Sequence, residues 1–355
     1  MNRCNPNRLR GMVYTMTNET VNNIVAFRRY GNGTVEYLDT YDTGGSGTGE
    51  QLVDPLVSQG SLILARSNCF LLAVNAGSNT ISCFKVSPTG ELTLMDVVSS
   101  NGVGPNSLAS RGNLVYVTNV GDSDNAANVT GFTLSDYGQL SAISGSTAAL
   151  STSNPQPTCV SFSPDFSQIV VSELDTDSLT VFNVNLNGSL STGVVNASSG
   201  DGPFGSVFVN ANTLLVAEAG SAAVSSYGVR DSGSLNTISA SVLNGQQSTC
   251  WIALHPNRQI AYTSNTGNGT ISIYRIFPGG VLRLAGIAYS NTCDIASSPI
   301  DLAVSQDGCY LYVLNGSLGT ISELAIKEEG CILMPTQILA NSDIPQVGAQ
   351  GLAVI

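Results

Sequence analysis

Three carboxylates stand where this chain could carry acid–base chemistry. Glu173 and Glu218 each close an apolar run, Val170–Val171 and Leu214–Ala217, and Asp301 follows Ser298-Pro299-Ile300. A carboxylate at the edge of an apolar stretch has its charged form disfavoured, so its pKa rises toward the range of a general base. Such a group can activate water against a carbonyl carbon, or move a proton in the reverse direction. The plainer alternative is that these carboxylates accept hydrogen bonds from neighbouring strand amides, in the slot that Asn fills elsewhere in the chain. His255 is the single histidine and sits in Trp251-Ile252-Ala253-Leu254-His255-Pro256, where a solvated turn histidine is the ordinary expectation. No Gly-x-Ser-x-Gly sequence accompanies it, which argues against a serine triad. The eight cysteines include no Cys-x-x-Cys pair, so no zinc site is expected. They read as small buried hydrophobes, although Cys69 with Cys83, or Cys309 with Cys331, could pair across neighbouring strands. The acidic turns Asp122-Ser123-Asp124-Asn125 and Asp175-Thr176-Asp177 lack a twelve-residue calcium loop with its distal Glu. No glycine-rich loop leads into a helix to hold a phosphate, so neither a metal nor a nucleotide cofactor is expected.

The elements that position these acids follow from composition and repetition. Charged residues make up 11% of 355 positions, hydrophobic residues 42%, and there are 37 glycines. Turn formers replace charge, which disfavours a helical bundle, while enough apolar residue remains for a large core. One pattern recurs: a β-rich run ending in Asn or Glu, a polar turn, a second β-rich run, then a glycine turn. Its anchors are Asn18, Asn75, Asn119, Glu173, Glu218, Asn265 and Asn315. Seven copies, spaced by the 40–50 or so residues that four short strands and their turns require, predict a seven-bladed β-propeller with four antiparallel strands per blade. A further strand precedes each anchor run, starting near Gly60, Ser107, Cys159, Gly205, Trp251 and Asp301. The seventh such strand is found at the far end of the chain, Gly351–Ile355. The expectation is an all-β ring closed by the C-terminal strand joining the first blade, which removes an open sheet edge. Residues 1–355 are assigned to one domain.

The starts of these innermost strands would line a central throat. By register it contains Asn106, Thr158, Phe204, Trp251 and Gln350, with Asp301 as its acid. These are candidate substrate-binding residues around a candidate catalytic carboxylate.

The motifs Asn-Ala-Gly-Ser-Asn-Thr-Ile-Ser at 75–82 and Thr-Gly-Asn-Gly-Thr-Ile-Ser at 266–272 resemble those of the lactonase-type seven-bladed propellers. Ser298-Pro299-Ile300-Asp301-Leu302 and Tyr312-Val313-Leu314-Asn315-Gly316 carry the same resemblance, which extends from about residue 12 to 355. That family includes propeller 6-phosphogluconolactonases and carboxymuconate lactonizing enzymes. The resemblance implies chemistry at one mouth of the channel, with His and Arg at the start of innermost strands and a Glu ending the next strand. Glu173 and Glu218 match the Glu positions. Where the basic residues would stand, this chain has Gly104-Pro105-Asn106-Ser107, Gln156-Pro157-Thr158-Cys159 and Gly202-Pro203-Phe204-Gly205.

A throat without cations suits a small neutral lactone, hydrolysed or formed, with Glu173, Glu218 and Asp301 as acid–base groups and Asn106, Thr158, Phe204, Trp251 and Gln350 around the substrate. The alternative is a non-catalytic propeller acting through a binding or structural protein surface. The balance of 13 Lys and Arg against 25 Asp and Glu, net −12, supplies no basic stripe for nucleic acid or for an anionic membrane. Met1–Arg10 is polar and lacks an apolar signal core. The sparse charge leans toward an extracellular or cell-surface setting, and the missing signal core keeps the cytoplasm open.

Overall fold

The computed structural model describes residues 8–291 and 297–355. Cys4, Cys293 and the first seven positions of the polar N-terminal stretch lie outside them. Seven sheets of at least four antiparallel strands form the blades of a ring. Blade 1 consists of Leu9–Met16, Asn23–Tyr30 and Val35–Asp42, completed on its inner side by Gln350–Val354. The closure has a fixed register, with Val13 opposite Val354 and Thr15 opposite Leu352. The C-terminal strand therefore joins the opening blade, as the count of six inner strands plus one requires.

The remaining innermost strands are Leu62–Ala65, Pro105–Arg111, Pro157–Phe162, Pro203–Asn210, Thr249–Leu254 and Pro299–Val304. Four of them begin with proline, which is tolerated at a strand start because that position needs no ladder N–H. The second strands are enclosed on both faces. Phe70–Asn75, Gln168–Glu173, Thr213–Glu218 and Ile260–Asn265 are buried along their entire length. Blade stacks on blade, so both faces of a middle strand are interior, which is why these runs are nearly all apolar. Outer strands such as Ile332–Ala340 alternate exposed positions with buried or half-buried ones.

Two local findings differ from the sequence expectations. His255 lies at the predicted turn but is 9% exposed. Its Nε2 is 3.1 Å from the Gly308 carbonyl in blade 7, and its Nδ1 accepts the Asn257 amide at 3.1 Å. The turn is pressed into the next blade, so its imidazole serves as an inter-blade contact. Cys69, Cys83 and Cys331 are thiols, so neither cross-strand disulfide forms.

Candidate functional site

The connection from Val35–Asp42 to Leu62–Ala65 crosses the channel mouth at which the innermost strands begin. Its residues 52–60 form a strap tied by hydrogen bonds to three other blades. Asn106 of blade 3 donates to the Leu56 carbonyl, and Ser58 Oγ donates to the Asn106 carbonyl at 2.8 Å. The Gln59 amide donates to the Thr158 carbonyl of blade 4 at 2.8 Å. In blade 6, Trp251 Nε1 donates to the Ser58 carbonyl at 3.0 Å, while the Gln59 side chain accepts the Ile252 amide at 2.8 Å and donates to the Ile252 carbonyl at 3.2 Å. Val53 and Val57 pack into the same apolar cluster as Phe204, Trp251 and Ile300.

The structure brings the predicted throat residues together beneath this strap. Asn106, Thr158, Phe204, Trp251 and Gln350 are all at most 3% exposed. Phe204 and Trp251 stack with ring centroids 4.8 Å apart. Thr158 Oγ1 lies 3.1 Å from the carbonyls of both Pro203 and Phe204, which links blade 4 to blade 5. A cavity of about 330 Å³ opens beside the strap, lined by Pro55, Val57, Asn106, Gln156 and Glu50 among others.

Asp301 is buried near the start of the innermost strand of blade 7, against the closing strand. Its Oδ1 accepts its neighbour's amide, Leu302 N–H, and its Oδ2 accepts Leu352 N–H from the closing strand, both at 2.9 Å. Burial pushes its carboxyl up to about 8, and the nearby charge of Asp54 adds to the rise. Asp54 comes from the strap itself, with Oδ1 accepting the Val57 amide at 3.0 Å. Desolvation by its neighbours lifts it to about 7, although part of the residue still reaches solvent. Gln350 lies against Asp54 and opposes that rise. Two carboxylates from opposite ends of the chain thus share one apolar environment, where both cannot readily be ionised at neutral pH. Sequence reading found Asp301 and missed Asp54. The available signal was the spacing of the first two anchors, Asn18 and Asn75, which at 57 residues is the longest of the six intervals. The excess is the strap.

Glu173 and Glu218 occupy a different setting, at the ends of second strands in blades 4 and 5. Glu173 accepts from the Ser151 amide and hydroxyl on the preceding connection. Glu218 accepts from Ser225 Oγ at 2.5 Å, Ser241 Oγ at 2.8 Å and the Gly200 amide at 3.0 Å. Burial raises the Glu218 pKa, and these donors oppose the rise. The equivalent Asn residues make the same tie with the polarity reversed: Asn75, Asn265 and Asn315 each donate through Nδ2 to the serine seven residues on, Ser82, Ser272 and Ser322, at 2.8–2.9 Å. In blade 5 the serine donates and the carboxylate accepts.

Among the described residues, no group of three or more His, Cys, Asp or Glu is disposed to hold a metal ion. In the turn at Asp122, Oδ1 is already engaged by the amides of Asp124 and Asn125 at 2.9 and 2.8 Å. No described helix is long and apolar enough to cross a membrane.

Seven blades of at least four antiparallel strands, the first closed by the last strand of the chain, define a seven-bladed β-propeller. The family described as lactonase, 7-bladed β-propeller, matches the chain over residues 8–149 and 139–338, and the chain belongs to that family. No curated protein matches its sequence. Among solved structures it is similar to the periplasmic gluconolactonase PpgL of Pseudomonas aeruginosa, at 17% identity and a TM-score of 0.78, with 98% of this chain and 99% of that one covered. It is also similar to a candidate 6-phosphogluconolactonase of Bacteroides fragilis, at 19% identity and a TM-score of 0.74 over 97% and 98% of the two chains. At such identities the likeness is one of fold.

Proposed function

We propose that this propeller hydrolyses a small uncharged lactone at the strapped mouth, with Asp301 and Asp54 as its acid–base pair. The observation that carries the reading is the proximity of two desolvated carboxylates, one on the strap and one on the innermost strand of blade 7, in surroundings that keep one of them protonated near neutral pH. The ionised member takes a proton from water as the water oxygen adds to the lactone carbonyl. The protonated member gives its proton to the departing ring oxygen, and the product is a hydroxy acid. The pocket beside Pro55, Val57 and Asn106 is the entry in this reading. The throat residues offer amide, hydroxyl and aromatic groups and no cation, which favours an uncharged substrate over a phosphorylated one.

A second reading is supported by the strap itself. Gln59 and Trp251 close the mouth with direct hydrogen bonds, as suits a non-catalytic propeller that works through its outer surface. One set of assays separates the two. Uncharged γ- and δ-lactones and a phosphorylated gluconolactone are offered to the unmodified chain and to D301N. Turnover of an uncharged lactone that falls about a hundredfold in D301N is the expected result, in line with removal of a general acid–base group. Preference for the phosphorylated substrate would overturn the charge argument. Loss of turnover in an E173Q/E218Q chain, with D301N unaffected, would move the chemistry to the anchor carboxylates. Absence of turnover on the whole panel favours the second reading.

A further inference from the structure

The opposite mouth of the channel carries chemistry that the strapped mouth lacks. Where the innermost strands of blades 2 to 5 end, a cavity of about 270 Å³ opens to solvent below the strap, whose Gln59 and Gly60 form its roof. Two of the chain's arginines, Arg111 and Arg258, line it, and no Asp or Glu does. This is a local reversal in a protein of net charge −12.

Neither arginine forms a salt bridge among the described residues. Arg111 is held by an aromatic ring instead, with its guanidinium carbon 5.7 Å from the centroid of Phe166. Phe166 in turn packs edge-on against Phe162, with centroids 6.1 Å apart. Stacking orients a guanidinium without using its N–H donors. Arg111 Nε is accordingly buried without a hydrogen-bond partner, and so is the hydroxyl of its neighbour Ser110. Arg258 is fixed through one donor, Nη1, to the Val209 carbonyl at 2.5 Å. The other walls combine apolar Ile63, Leu108, Phe162 and Val207 with polar Ser161 and Ser206.

We infer that this cavity is a binding site for a small organic carboxylate with an apolar body. The carboxylate meets Arg111 and Arg258, and the apolar body lies between Leu108 and Phe162. Arginine suits a carboxylate because its planar fork matches both oxygens. An apolar cavity of about 150 Å³ takes benzene, so the volume here admits a ring with substituents. The inference does not depend on the acid pair or on any lactone chemistry.

Titration calorimetry on the full chain tests it, with benzoate as probe, benzamide as its uncharged counterpart and inorganic phosphate as an anion without an apolar body. Benzoate is expected to bind saturably, at least tenfold more tightly than either of the others, and to weaken as salt rises. Arg111→Met and Arg258→Met are each expected to weaken it about tenfold. Equal binding of benzamide would overturn the inference, as would phosphate binding as tight as benzoate, or benzoate affinity unchanged in R111M. If the methionine variants fail to fold, the ranking of the three probes and the salt dependence on the unmodified chain decide the matter, and a ranking with benzoate anywhere but first overturns it.

Discussion

At the scale of single residues, burial decides what each acid does. Asp301 has its carboxyl raised far above the ordinary carboxylate range, so the folded state holds a proton that the unfolded chain releases above about pH 4. Between that pH and about 8 the folded form binds more protons than the unfolded form. Stability therefore falls as pH rises through this window and levels off above it. A melting temperature lower at pH 8.5 than at pH 5.5, by roughly 5 °C or more, is the expected outcome. D301N, which cannot ionise, should flatten part of that slope, the remainder belonging to Asp54, which burial lifts to about 7. An unchanged slope in D301N would place the titration elsewhere, at Asp54 or at Glu218 or Glu323, which burial also raises. Glu218 itself makes a separate test. Glu218→Ala leaves the Ser225, Ser241 and Gly200 donors without their acceptor and should cost about 3 kcal/mol in denaturant unfolding. Glu218→Gln keeps an acceptor oxygen and should cost about 1 kcal/mol.

At the scale of elements, the strap and the inter-blade ties carry the load. Gln59 binds both polar groups of the Ile252 backbone in blade 6. Gln59→Ala strips that amide of its acceptor and should cost about 1–3 kcal/mol. It should also speed hydrogen exchange of the Trp251 indole N–H, which is bonded to Ser58 in the same strap. Indole exchange as slow as in the parent would show that the strap is held mainly by Val53 and Val57. Four blades are also tied to the next by a tyrosine in the second strand. Tyr14, Tyr116, Tyr262 and Tyr312 donate to the carbonyls of Gly90, Gly188, Gly330 and Gly33 at 2.6–3.0 Å. Gly33 has φ +92°, and a Cβ there would fall 2.3 Å from the Tyr310 ring, so glycine satisfies both the turn and the packing. Blades 2, 4 and 5 have Leu72, Val170 and Leu215 at the corresponding place, so there this position contributes apolar contact and other side chains carry the polar ties, such as Asp96 to the Leu140 amide and Gln168 to the Arg230 carbonyl.

At the scale of the whole molecule, stability rests on closing the ring. The seam is pinned by Arg29, only 2% exposed, which donates to the Ile355 oxygen at 3.1 Å and pairs with Asp307 of blade 7 at 3.1 Å. Across the seam Gly11 allows close approach, since a Cβ at that position would lie 1.8 Å from the same Ile355 oxygen. Gly11→Ala should force the closing strand outward and cost about 2 kcal/mol. Arg29→Met should cost a similar amount, about 2 kcal/mol, by leaving the Ile355 oxygen and Asp307 without their donor. Limited proteolysis of either variant should release the C-terminal strand before the rest of the ring is cut. Cleavage beginning instead in another blade would show that the seam is not the weakest joint.

The repeat was legible because each blade must form the same four strands, so strand-forming runs and glycine turns recur at a fixed interval. The closing strand was legible because an inner strand was missing from one end of the chain and present at the other. Membership of the lactonase family followed from the motifs of those same repeats. The anchors Glu173 and Glu218 were also visible, and their surroundings were not, because a carboxylate beside an apolar run reads alike whether serine hydroxyls or substrate complete its shell. The strap left only a long first interval, and its partner contacts join residues nearly two hundred positions apart, as Ser58 with Trp251 and Gln59 with Ile252. The proximity of Asp54 to Asp301, and the placing of Arg111 and Arg258 on one cavity, arise only when the ring curves and brings different blades together. Local pattern fixes periodicity, since backbone pairing depends on neighbouring residues. The company each charged group keeps depends on closure, and closure exists only in the folded ring.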